Sequence, residues 1–187
     1  YEIAQDLEYD MNGVVVVVPI GNAGNITAVM RGFLKFLDAG IITRLPKIIG
    51  VQSEHANPVY RYYQETRPEL RRFEPVAVQP SVAQAAMIGN PVSMPRVIQL
   101  VEEYQRHSDQ PNVFFVEVCE QAIMDWGLRA NRNGHIACTH GGECLAGALG
   151  LVTEHAAPET TCARADDDET DELPRLRILL GEDNPFN

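Results

Sequence analysis

The chain has 187 residues, of which 45% are hydrophobic and 22% charged, a balance typical of a globular protein that buries a core. Its formal net charge of −11 disfavours nucleic acid as a partner, because an acidic surface repels phosphates. No apolar run reaches the roughly 18 residues that a membrane-spanning helix needs, and the first residues lack the pattern of a secretory signal. We therefore expect a cytoplasmic protein with no membrane partner.

The first half of the chain alternates between predicted helices and strands. A helix is predicted over 1–8, and the uninterrupted valines of Val14–Val18 predict a strand buried on both faces, as in a parallel sheet. The loop Gly21–Asn25 follows, and then an amphipathic helix for which Asn25 is the predicted N-cap. Ile48–Val51 predicts a second buried strand.

The middle of the chain continues this alternation after a less regular stretch. Ser53–Pro80 predicts a surface helix and then an irregular crossing, and Ser81–Met87 predicts a short helical turn. Pro95 is suited to the first turn of a helix, Val113–Val118 predicts a strand, and Glu120–Ala130 predicts a helix. Strands that alternate with helices indicate an α/β domain with an open, mostly parallel sheet covered by helices.

The last third of the chain divides into ordered elements and a tail. Ile136–Cys138 predicts a short strand, Thr139–Gly142 a tight loop, and Leu145–Val152 a helix. Beyond this helix the periodicity fades and acidic residues accumulate. We predict one α/β domain over 1–152 and a poorly ordered acidic tail over 153–187.

The segment between the first strand and the long helix predicts a phosphate site. Gly21 and Gly24 let the backbone turn sharply and present N–H groups without Cβ obstruction. The next helix directs its positive end into the same space, while Asn22 and Asn25 add neutral donors. An ordinary tight turn is the alternative interpretation. The sequence signatures of nucleotide P-loops and of dinucleotide sites are absent, which disfavours a nucleotide phosphate.

Four collinear segments resemble the threonine synthase group of the fold-type II pyridoxal-phosphate enzymes. They are the phosphate loop Val18–Ala28, the strand Leu45–Gln52, the Ile-Gly-Asn-Pro segment Ala85–Ser93 and the C-terminal loop Gly134–Glu143. The resemblance covers Tyr1 to about Val152 and implies the α/β fold of that family, here incomplete.

The resemblance also implies site residues for the cofactor. Backbone N–H groups of one loop would hold the phosphate of pyridoxal 5'-phosphate: Gly21, Asn22, Ala23, Gly24 and Asn25. Asn22 would also reach the phosphate of an amino-acid phosphate substrate. The hydroxyl of Thr139 would face the pyridine nitrogen of the cofactor. The alternative for Thr139 is a role as a turn or capping hydroxyl.

Catalysis in this family needs a lysine that binds the cofactor covalently. The chain contains two lysines, Lys35 and Lys47, and neither lies in a segment like the family's lysine segment. Both are predicted to be solvated surface side chains. We therefore assign no catalytic residue, expect the 187 residues alone to be inactive, and expect the lysine to belong to a missing N-terminal domain or a partner chain.

A second cluster of reactive side chains lies near the end of the predicted domain. His135, Cys138, His140 and Cys144 lie within ten residues, but their order does not match the paired spacing of structural zinc sites, so no metal is predicted. A thiol nucleophile at Cys138 assisted by His140 is also disfavoured, because no oxyanion site is identified.

Three functions remain open from the sequence. The first is part of a threonine synthase, which converts phosphohomoserine to threonine and phosphate. The second is another fold-type II lyase, such as a dehydratase or a sulfur-transferring synthase. The third is a non-catalytic domain that binds a phosphorylated ligand or complements a lysine-bearing chain.

Overall fold

The computed structural model describes residues 2–154 and 177–180. The helices of this part are α1 (Glu2–Asp6), α2 (Gly24–Asp38), α3 (Pro58–Gln64), α4 (Met94–Gln105), α5 (Glu120–Arg132) and α6 (Thr139–Glu154). The strands are β1 (Val14–Pro19), β2 (Lys47–Ser53), β3 (Val113–Val118) and β4 (Arg177–Leu180). Within the described residues, no helix is both long and apolar enough to span a bilayer.

The four strands form one parallel sheet in the order β3-β2-β1-β4. Val17 lies opposite Ile49 of β2 on one side and opposite Leu180 of β4 on the other. Because the strands are parallel, each connection must cross back over the sheet, and helices make these crossings. The prediction of an open parallel sheet covered by helices is confirmed.

The valine run of β1 is buried on both faces of the sheet, as predicted. Val14, Val16 and Val18 belong to the core beneath α2 and α4, whereas Val15 and Val17 belong to the core on the α6 side. Alternation follows from the pleat, since neighbouring side chains of a strand point to opposite faces. A central strand covered on both sides needs no polar position, which explains the uninterrupted valines.

Helix α2 has the predicted apolar face but begins two residues earlier than predicted. Ile26, Met30 and Leu34 are buried against the sheet. Asn25 is not the N-cap, because Ala23 occupies that position in a left-handed conformation, with φ 63° and ψ 15°. The chain thus completes its turn at Ala23, and Gly24 is already helical.

The segment before α6 differs from its prediction. Ile136–Cys138 is not a strand, and Ile136 is 99% exposed. Thr139–Gly142 is the first turn of α6 rather than a tight loop. The glycines that suggested a loop serve packing instead, since a Cβ on Gly142 would collide with the backbone carbonyl of Ile123 in α5.

The region predicted as a tail contains one element of the sheet. The predicted boundary at 152 falls inside α6, and β4 at 177–180 pairs in parallel with β1. For these four residues the structure differs from the predicted tail, because they extend the sheet beside β1. Residues 155–176 and 181–187 lie outside the described residues.

Candidate functional site

The predicted phosphate loop lies at the carboxyl-terminal edge of the parallel sheet. After β1, the N–H of Ile20 donates to the carbonyl oxygen of Val51 at 2.9 Å, so the strand pairing continues up to the loop. Gly21 is buried, whereas Asn22 and Gly24 are exposed. This edge is where open parallel sheets bind their ligands.

The loop leads into the N-terminus of α2 through a left-handed residue, Ala23. The first intrahelical bond is donated by Thr27 to the carbonyl of Ala23 at 3.3 Å, so the amide of Gly24 precedes the helical ladder. Ala23 at the N-cap makes no side-chain hydrogen bond to this end of the helix. A left-handed residue followed by a helical one makes a concave nest of N–H groups, which is an anion site.

The space above Gly24 has room for a ligand group. A Cβ built on Gly24 would meet no atom within 4 Å. In a helix the Cα–Cβ bond tilts towards the N-terminus, so this open space lies on the side where the nest faces. Open space at Gly24, the left-handed turn at Ala23 and the positive end of α2 together fit a phosphate group.

The segment Ser81–Ile88, which we name the strap, forms a wall behind the loop. A Cβ on Gly21 would lie 3.2 Å from the carbonyl oxygen of Ala85 and 3.3 Å from Cα of Ala86. Just beyond the strap, the N–H of Ser93 donates to the carbonyl oxygen of Asn22 at 3.3 Å. The Ile-Gly-Asn-Pro segment singled out in the sequence therefore borders the loop.

A polar cluster that sequence reasoning missed lies at the same edge of the sheet. The carboxylate of Glu120 accepts hydrogen bonds from Oγ of Ser53 at 2.5 Å, Oγ of Ser81 at 2.8 Å and N–H of Val82 at 2.6 Å. Nδ1 of His55 lies 3.7 Å from the same carboxylate. A usable signal existed, because Ser53 ends β2 and Glu120 directly follows β3, which places both at one edge.

The environment of Glu120 favours its ionised form. Burial opposes the charge, but the hydrogen bonds from Ser53, from the N–H of Val82 and from Ser81, with the nearby His55, outweigh it. The pKa of Glu120 therefore lies below its ordinary value. The carboxylate is an anionic anchor at neutral pH.

Thr139 is separated along the chain from the loop and starts a different element. It is exposed at the beginning of α6, and five residues later Sγ of Cys144 lies 4.0 Å from the carbonyl oxygen of Val17 in β1. Helix α6 thus packs on the strand that leads into the loop. The assignment of Thr139 to the ring nitrogen of the cofactor stays a prediction.

Both lysines lie far from the loop. Lys47 is exposed and lies opposite Val15. Since Gly21 follows Val15 by six residues, Lys47 is roughly 20 Å from Gly21 along the strand direction. Lys35 is exposed on α2, eleven residues after Gly24, which corresponds to roughly 16 Å along the helix. The prediction that both are solvated surface lysines is confirmed.

The histidine and cysteine cluster does not converge. Cys144 is buried within α6, whereas Cys138 is exposed before it. Among residues 2–154 and 177–180, no three His, Cys, Asp or Glu side chains are grouped so as to hold a metal ion.

Comparison with known proteins gives a consistent set of similarities. The model of the family "Pyridoxal-phosphate dependent enzyme" matches residues 1–163. Chloroplastic threonine synthase 2 of Arabidopsis thaliana is 32% identical over 136 residues, which are 73% of this chain and 25% of that protein. Threonine synthase of Methanocaldococcus jannaschii is 36% identical over 101 residues, 54% of this chain and 24% of that protein.

A solved structure shows the same fold. The crystal structure of threonine synthase from Escherichia coli superposes with a TM-score of 0.59 at 17% identity, covering 94% of this chain and 33% of that one. The chain thus spans about a quarter of the length of the curated relatives it matches.

Proposed function

The chain belongs to the pyridoxal-phosphate dependent enzyme family, and on this premise we propose that its loop Gly21–Asn25 binds the phosphate of pyridoxal 5'-phosphate within a threonine synthase. The reaction proposed for the whole enzyme converts phosphohomoserine to threonine and phosphate. The relatives named above support threonine synthase over other members of the family.

The observation that carries the proposal is the nest of N–H groups at the start of α2. An anion placed there accepts from the first amides of the helix and meets its positive end, and each charge-assisted bond contributes about 1.5–3 kcal/mol. The strap closes the loop from behind at Gly21, so the ligand approaches from the side of Gly24. The chain's part is therefore to bind and orient.

Pyridoxal phosphate, when bound, supplies an electron sink for bond changes at the substrate. In this proposal the chain fixes the phosphate end of the cofactor, and Thr139 offers a neutral hydroxyl to its ring nitrogen. Asn22, exposed in the loop, offers an amide to the phosphate of the substrate.

The covalent lysine must come from outside this chain in our proposal. Lys35 and Lys47 lie at the far ends of their elements, so neither serves the loop. The 187 residues are then inactive alone and need a lysine-bearing domain or partner chain. The same distances favour one other candidate function, a non-catalytic domain that binds a phosphorylated ligand.

The proposal is tested by titrating the chain with inorganic phosphate and with pyridoxal 5'-phosphate while following backbone amide signals by NMR. We expect both ligands to shift the amides of Gly21–Asn25. Gly24→Val should weaken phosphate binding by about 1–3 kcal/mol, because its side chain fills the open space above the nest.

Gly32→Val is the matched control. Gly32 lies two turns further along α2, and its Cβ would also meet no atom within 4 Å, so the same substitution should leave binding unchanged. Thr139→Ala should also preserve the response to inorganic phosphate, since its proposed partner is the ring nitrogen. If the loop amides ignore both ligands while amides elsewhere respond, the loop is a structural turn and the proposal is wrong.

A further inference from the structure

We propose that Glu120 is a positioning residue for the phosphate loop and acts through the strap Ser81–Ile88. This inference rests on the proposed function, because it concerns the shape of the site that would hold the phosphate. Glu120 touches one end of the strap, and Gly21 touches the other.

The Ser81 end of the strap is bound to the carboxylate of Glu120. Oγ of Ser81 and N–H of Val82 both donate to this carboxylate, and the side chain is only 21% exposed. Ser53 at the end of β2 donates to the same group at 2.5 Å, which ties it to the sheet. One carboxylate thus joins β2, the start of α5 and the strap.

Between its ends the strap is short and internally bonded. The N–H of Ala83 donates to Oγ of Ser81 at 3.0 Å, and the N–H of Ala86 donates to the carbonyl of Ala83 at 3.0 Å. Ala83 and Ala86 are both buried in the core on the α6 side. A displacement of Ser81 is therefore transmitted along the strap towards Gly21 rather than absorbed by a free loop.

The second end of the strap sets the position of the loop. The carbonyl of Ala85 and Cα of Ala86 lie so close to Gly21 that even a Cβ there would be crowded. If the strap moved away, Gly21 would lose this support, and the N–H groups that follow it would lose their common direction. Precise direction of donors is what separates an anion site from an ordinary turn.

The hydrogen bonds at Glu120 favour a carboxylate. Three donors point at its two oxygens, from Ser53, Ser81 and Val82, and an ionised carboxylate accepts at both oxygens. A glutamine removes the charge and presents its NH₂ group either to the N–H of Val82, which then lacks an acceptor, or to the two serine hydroxyls, which must then accept instead of donate. Glu120→Gln is therefore a nearly isosteric change that weakens the charge-assisted bonds holding the strap.

The experiment compares Glu120→Gln with Glu54→Gln. Oε1 of Glu54 accepts from the N–H of Glu120 at 3.1 Å, at the start of α5, and Glu54 is not among the residues that anchor the strap. The control thus perturbs the start of α5 without changing the bonds that hold the strap. Two readouts are followed in folded protein: amide signals and exchange rates without ligand, and the affinity for inorganic phosphate.

For Glu120→Gln we expect faster amide exchange at Val82 and Ala86, a shifted Gly21 signal and roughly tenfold weaker phosphate binding. Glu54→Gln should leave Gly21 and the affinity unchanged. If Glu120→Gln fails to fold, Ser81→Ala, which removes the strap's own hydroxyl, is measured in the same way. An unchanged Gly21 signal in these variants overturns the proposal, as does an unchanged affinity in a chain that binds phosphate.

The two proposals can fail separately. If the unmodified chain does not bind phosphate, the proposed function fails, and the ligand-free Gly21 signal still decides the role of Glu120. A purely structural role would lower the free energy of unfolding but leave the Gly21 signal and the affinity of the folded chain unchanged.

Discussion

Glycine has opposite roles in the phosphate loop and in the α5–α6 pair. In the loop, Gly24 leaves open space, since a Cβ there meets nothing within 4 Å. In α6, Gly142 and Gly147 lie at tight contacts. A Cβ on Gly142 would collide with the carbonyl oxygen of Ile123, and a Cβ on Gly147 would lie 2.6 Å from Cγ2 of Val51. One region omits side chains and leaves space for the proposed phosphate, and the other omits them to bring elements together.

This difference separates glycines that serve binding from glycines that serve stability. Removing a packing glycine should destabilise the fold, because backbone must move to accept the new atoms. Removing a binding glycine should leave the fold intact and affect only the ligand. Gly21 lies between these cases, because it belongs to the loop but touches the strap.

The largest effect is expected for Gly142→Ala. The added Cβ meets the carbonyl oxygen of Ile123, and backbone atoms of Gly127 lie 3.2–3.3 Å from it, so α5 and α6 must separate. We expect a loss of about 2–3 kcal/mol in the free energy of unfolding, at the upper part of the range for overpacking. Urea denaturation measures this loss.

Gly127→Ala is the control, since its Cβ would touch Gly142 only at an ordinary 3.8 Å. This variant should match or exceed the original stability, because alanine is the better helix former. Equal losses in the two variants would show that crowding at Gly142 is not the cause.

The sequence predicted elements with a clear local pattern and missed those that depend on long-range packing. Helix α2 shows clear periodicity and β1 is an uninterrupted apolar run, so the burial of Met30 and Val17 follows from pattern alone. Around Thr139–Gly142, paired glycines indicated a turn, yet the segment is helical. Close packing between α5 and α6 is a long-range contact, and no local pattern reports it.

The candidate site was predictable to a similar extent. The loop Gly21–Asn25 is a contiguous motif after a buried strand, and the structure places it at the junction of β1 and α2 as expected. The polar cluster was predictable only in part: the ends of β2 and β3 place Ser53 and Glu120 at one edge, whereas Ser81 is 28 and 39 residues from them along the chain. Only the sheet order, with β2 beside β3, brings them together.

An intermediate effect is expected for Gly21→Ala. Its Cβ would lie 3.2 Å from the carbonyl oxygen of Ala85, so the strap must move by a few tenths of an ångström. We expect a loss of about 1 kcal/mol in the free energy of unfolding together with weaker phosphate binding. Calorimetry and the phosphate titration measure the two effects, with Gly32→Ala as the control. A stability loss as large as that of Gly142→Ala would place Gly21 among the packing glycines.

The smallest effect on the fold is expected for Gly24→Ala. Gly24 is helical and its Cβ meets no atom, so alanine should stabilise the ligand-free chain by at most about 1 kcal/mol through its helix propensity. Phosphate should reverse this order. At a phosphate concentration of about 100 times its Kd, the original chain gains about 2.7 kcal/mol, whereas a variant that binds tenfold more weakly gains only about 1.4 kcal/mol. Urea denaturation should therefore show Gly24→Ala as the more stable chain without phosphate and the original chain as the more stable one with phosphate. Gly24→Ala remaining at least as stable at every phosphate concentration would mean that this glycine is not kept for binding.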